Sequence, residues 1–151
     1  MARVQNEIVI DGPIQAVFDA VTTTDTWPQW HPATVGVSGV TERPLQLSDQ
    51  IRERARIGGQ EYEGEWTVVA HQSPARLVMQ VLGSDTRISY AFASESPSTT
   101  RFTRTLEFDP GAFAGSAADP AALERLMFVQ SQTALQNLKR LVEESIAARS
   151  V

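Results

Sequence analysis

The chain has 151 residues, 42% of them hydrophobic and 21% charged, with a formal net charge of -5 and a pI of about 5.0. This is the size of one domain, residues 1–151, with enough apolar chain to bury a core, and it excludes extended disorder. The acidic balance argues against a broad nucleic-acid surface, the lack of cysteine excludes disulfides and thiol chemistry, and two histidines are too few for a multi-histidine zinc site.

Residues 3–10 alternate and stop at Asp11-Gly12-Pro13, which predicts a first strand. The polar stretch Met1 to Glu7 does not read as a signal peptide, and no apolar run reaches the roughly 20 residues of a membrane span. The expected location is the cytoplasm. Pro13 to Val21 sets Ile14, Val17, Phe18 and Val21 on one face of a short helix, with proline in its first turn. Thr26 to Trp30 fits a second helical turn, broken by Pro32. Strands are then expected at about 34–41, 48–57, 60–70, 76–82, 86–94 and 99–108, with Gly, Pro, Ser or Asp at nearly every junction. Residues 110–118 are small and loop-like, either a plain connector or a gate. Asp119-Pro120, a cap followed by proline, opens a helix expected to run to about Ala148. Antiparallel strands with segregated helices predict an α+β fold.

Two hairpins define which side chains point inward. A two-residue turn at Gly58-Gly59 pairs Ile57 with Gln60 and sets Arg56, Arg54 and Arg52 opposite Glu61, Glu63 and Glu65. That charged face is the wet one, and His71 is expected on it. The other face carries Tyr62, Trp66 and, opposite Gly64, the inward Glu53. A loop centred on Pro97 pairs Phe92 with Phe102, Tyr90 with Arg104, Ile88 with Leu106 and Arg87 with Glu107, so Arg104 is the second inward charge. An inward charge must be paired, hydrated or in contact with a ligand. Two readings stand open: Glu53 and Arg104 snorkel or pair with each other, or they are polar handles in a cavity. The last helix bears an apolar stripe of Leu123, Met127, Ala134, Leu138, Leu141 and Val142. Gln130 and Ser131 flank it in the N-terminal half, as edge residues or as cavity wall.

This order of elements, with Val17-Phe18-Asp19-Ala20-Val21 and then Trp27-Pro28-Gln29-Trp30-His31-Pro32, resembles the START-like (SRPBCC, birch-pollen-allergen-like) superfamily. The polyketide cyclase/dehydrase-type subgroup of bacterial proteins is the most similar part of it. The resemblance implies a helix-grip fold: a seven-stranded curved antiparallel sheet, in the order β-α-α-β6-α, wrapped around a long C-terminal helix. It also implies an internal apolar cavity, with Trp27, Trp30 and the Pro110–Ala118 loop at its mouth.

The expected ligand site comprises Trp30, Tyr62, Trp66, Met79, Phe92, Phe102, Phe113 and Met127 as walls. Glu53, Tyr90, Arg104, Gln130 and Ser131 are its polar groups. The expected function is binding of a hydrophobic small molecule, lipid, polyketide or isoprenoid-like. The alternative is a polyketide cyclase, aromatase or dehydratase, with Glu53 as base, Arg104 stabilising an oxyanion and Tyr90 donating a proton. A chaperone- or ribosome-associated protein module is a third reading. No metal site, cofactor or nucleic-acid partner is expected, and no Gly-x-Ser-x-Gly elbow supports a serine triad. His31 is either a turn residue or a group at the mouth titrating near neutrality. The chain is expected to be a monomer or a homodimer joined through a free sheet edge.

Overall fold

A computed structural model describes residues 1–113 and 119–149 of the chain. The strands are β1 (Ala2–Asp11), β2 (Thr34–Gly39), β3 (Gln50–Ile57), β4 (Gln60–Gln72), β5 (Arg76–Val81), β6 (Arg87–Ser96) and β7 (Thr99–Phe108). The helices are α1 (Ile14–Thr22), α2 (Trp27–Trp30) and α3 (Pro120–Arg149). The strands form one antiparallel sheet in the order β1-β7-β6-β5-β4-β3-β2. The α+β helix-grip architecture is the one expected. Helix α1 begins at Ile14, one position later than anticipated, with Pro13 as its N-cap at ψ of 148°. Asp119 is the cap of α3: its Oδ1 accepts the Ala122 N–H at 2.7 Å. Within the expected gate or connector, residues 114–118 lie outside the described residues, while Pro110–Phe113 form a short 3-10 turn.

The hairpin registers are those anticipated. Gly58 and Gly59 have φ of 59° and 81°, the left-handed pair that a two-residue turn requires, and Ile57 faces Gln60. On the wet face, Arg52 pairs with Glu65 and Arg56 with Glu61, while Arg54 stands opposite Glu63. These exposed pairs favour the register while contributing little energy each. In the second hairpin Tyr90 faces Arg104 and Phe92 faces Phe102.

One expectation fails on β4. A register shift between Val68 and Ala70 adds a residue to the strand, so alternation reverses beyond it. His71 therefore lies on the concave side and meets the Phe18 ring edge-on at 5.9 Å. It does not join the glutamates on the wet face.

The free edge of β1 is partly covered. Glu124 and Glu143 of α3 accept the Arg3 and Asp11 N–H groups at 3.4 and 2.8 Å, and Lys139 donates to the Val9 carbonyl at 3.0 Å. Helix side chains thus occupy backbone groups that a second strand would need.

The concave face divides into two parts. Towards α1 it is solid: Phe18 meets Phe92 edge-on at 5.1 Å, Phe92 stacks on Phe102 at 5.0 Å, and Leu138 and Val142 of α3 are buried with them. Towards α2 and the N-terminal half of α3 the same face opens into a cavity.

Candidate functional site

The cavity has a volume of about 260 Å³. Trp27, Trp30 and Trp66, all the tryptophans of the chain, line it. Trp27 and Trp30 are placed by α2, whose two indoles meet edge to face at 6.4 Å. Their N–H groups are spent on local backbone and side chains: Trp27 donates to the Val21 carbonyl at 2.9 Å and Trp30 to Thr26 Oγ1 at 3.3 Å. A tryptophan whose donor is satisfied elsewhere contributes its apolar body to the cavity wall. Trp27 also meets the Tyr90 ring at 6.3 Å, almost perpendicular at 89°.

Glu53 is half-buried, and both its oxygens are engaged. Thr34 Oγ1 donates to Oε2 at 2.6 Å, and Trp66 Nε1 donates to Oε1 at 3.2 Å. Arg104 is buried, with 8% of its surface exposed. Its Nη1 donates to Ser131 Oγ at 3.1 Å, and its Nε has no hydrogen-bond partner. Among the described residues no carboxylate forms an ion pair with Arg104, so it and Glu53 do not neutralise each other directly. A direct Glu53–Arg104 pair, one form of the first reading, is therefore not formed: one charge is held by neutral donors and the other is a buried cation with no carboxylate in ion-pair contact.

Tyr90 is buried next to Arg104. Burial pushes its phenol up to about 12, partly offset by the positive charge of Arg104. The hydroxyl keeps its proton at any physiological pH. His31 lies on the cavity wall, and its Nδ1 accepts the Ala33 N–H at 3.1 Å. Burial first, and the charge of Arg104 second, hold its pKa well below the ordinary 6.5. Both effects favour the neutral ring, and with Nδ1 accepting, its proton sits on Nε2.

The structure brings Trp30, Glu53, Tyr62, Trp66, Tyr90, Arg104, Phe113, Met127 and Gln130 to the cavity. Tyr62 packs edge-on against Phe113 at 5.0 Å. Met79, Phe92 and Phe102 face inward but do not line it. Helix α1 drops Phe18 onto that end of the sheet and fills it, which alternation along a strand does not reveal. Ser131 is buried behind Arg104 and serves the cavity only through it. Thr34 was not singled out from sequence. It lies beyond a register shift in β2, which reaches β3 through a long irregular connection, so no local turn predicts its place beside Glu53.

Residues 1–143 match the profile of the family described as polyketide cyclase / dehydrase and lipid transport. Among curated proteins, "Penitrem biosynthesis cluster 1 protein I" of Penicillium ochrochloron is 28% identical over 112 residues, covering 68% of this chain and 72% of that protein. Among solved structures, a START superfamily protein from Mycobacterium smegmatis superposes with a TM-score of 0.74 at 15% identity, over 94% of this chain and 97% of that one. The di-domain ARO/CYC BexL from the BE-7585A biosynthetic pathway superposes with a TM-score of 0.66 at 22% identity, over 95% of this chain and 47% of that one, so this chain spans about half of its length. The structural likenesses share the fold at low identity, whereas the profile match runs through nearly the whole sequence: the chain belongs to the polyketide cyclase / dehydrase and lipid transport family.

Proposed function

We propose that this protein binds an apolar small molecule, of lipid, polyketide or isoprenoid-like class, in the cavity between α2, the sheet and α3. The observation that carries the reading is Arg104, a buried guanidinium without a counter-charge in a mainly aromatic and aliphatic wall. In a filled core such a group costs several kcal/mol, on the order of the penalty for an isolated buried ion. Beside a cavity it is a handle for a ligand. The three indoles supply the apolar surface, and covering about 100 Å² of it contributes roughly 2.5 kcal/mol. Gln130 and Tyr90 supply orienting hydrogen bonds. Native mass spectrometry of the purified protein, with extraction of anything bound, tests the reading. A co-purifying apolar molecule supports it. A clean mass, with no thermal shift across fatty acids, sterols and polyphenols, counts against it.

A second reading is an enzyme of the cyclase or dehydratase type, and the Tyr90–Arg104 pair favours it. A carbonyl oxygen seated between the phenol and the guanidinium would meet two donors that strengthen as it gains charge. Glu53 would take the proton from the adjacent carbon, leaving the enolate oxygen on that pair. On this reading Glu53→Gln loses turnover and keeps binding; a carrier has no turnover to lose.

A further inference from the structure

We infer that the cavity selects ligands ending in an acidic oxygen, a carboxylate or a comparable oxyanion, and seats that oxygen on Arg104. The inference rests on the cavity being a ligand site and adds what its polar end must look like.

The argument is an inventory of what the wall leaves unmet. Two buried polar atoms belonging to residues that line it lack any partner: Arg104 Nε and the Tyr62 hydroxyl. Both can donate a hydrogen bond, and one carries a full charge. The acidic side of the wall consists of Glu53, whose oxygens accept from Thr34 and Trp66, and of the exposed Glu63. The neutral polar groups add no positive charge of their own. His31 Nδ1 is taken by the Ala33 N–H, which leaves a single N–H on the ring, and Tyr90 remains a phenol. Ser131 anchors Arg104 from α3 through Nη1 and brings no negative charge. A ligand alcohol would satisfy one donor and leave the cation unneutralised. An amine would have to seat at Glu53 or Glu63, would meet Arg104 as a like charge, and would leave that cation without a counter-charge. An oxyanion supplies both the missing acceptor and the missing charge, in a charge-assisted contact stronger than a neutral one.

The test compares probes that differ only at the polar end: decanoate, decanol and decylamine, with 2-naphthoate, 2-naphthalenemethanol and 2-naphthylmethylamine as a second body shape. Affinity is read by isothermal titration. For the decyl series, fluorescence of the three tryptophans on the wall gives a second measure. The acid is expected to bind about tenfold to a hundredfold tighter than the alcohol, with the amine weakest. Arg104→Gln should abolish that preference, while Ser131→Ala, which keeps the charge, should reduce it only in part. Equal binding of acid, alcohol and amine, or an amine that binds best, overturns the inference while the cavity remains a ligand site. Failure of all six probes to bind overturns the ligand-site reading for these body shapes, and the inference falls with it. Should Arg104→Gln not fold, the acid-to-alcohol ratio in the unaltered protein and in Ser131→Ala still decides.

Discussion

Tyr90 on β6 stands directly opposite Arg104 on β7, and both side chains reach the cavity from the concave face of the sheet. The pairing joins a phenol that burial keeps protonated to a cation with no carboxylate in ion-pair contact among the described residues. Such a pair is poorly suited to stability and well suited to holding a partly negative oxygen, as expected where a fold gives up stability for function.

Arg104→Met should therefore separate the two roles. Stability without ligand is expected to stay level or rise by about 1–2 kcal/mol, because an unpaired buried charge is replaced by an apolar chain. Ligand affinity should fall in the same variant. Urea unfolding beside a binding titration checks both; a large loss of stability would mean that the guanidinium is a structural keystone.

Thr34 is predicted to matter out of proportion to its size. Thr34→Val removes the donor to Glu53 Oε2 and should cost about 1–2 kcal/mol, with Thr34→Ser closer to the parent. A double-mutant cycle with Glu53→Gln measures the coupling, since the loss should shrink once the charge on residue 53 is gone.

His31 should impose a pH dependence on stability. Folding lowers its pKa below 6.5, so the unfolded chain binds this proton more tightly. The contribution is complete above pH 6.5 and is lost as the pH falls from there towards the lower folded value. Within that window His31→Asn, which retains an acceptor for the Ala33 N–H, should flatten the slope by up to about 1.4 kcal/mol per pH unit. Chemical unfolding of both proteins at a series of pH values checks it; identical slopes would show that the imidazole is not excluded from protonation.

The solid and open parts of the concave face should respond differently to substitution. Phe92→Leu is expected to lower stability by about 1–2 kcal/mol and leave ligand affinity unchanged, because Phe92 packs on Phe18 and Phe102 away from the cavity. Trp66→Phe should weaken binding, since it removes both cavity wall and the donor to Glu53 Oε1. Parallel melting and binding measurements distinguish the two.

What was legible from the residues alone is what short-range rules decide. The order of elements, the turn at Gly58-Gly59 and the registers of both hairpins follow from alternation and from the conformations that glycine permits, all within a few residues along the chain. Those registers were enough to point Glu53, Tyr90 and Arg104 inward. Which inward residues meet a cavity and which fill the core was settled only in three dimensions. Phe18 closes the region around Phe92 and Phe102 because α1 packs there, and α2 leaves the neighbouring space open. Likewise, one extra residue in β4 turned His71 onto the concave side, and the irregular approach of β2 brought Thr34 to Glu53. Alternation specifies a side of the sheet; the placement of elements distant in sequence determines what that side encloses.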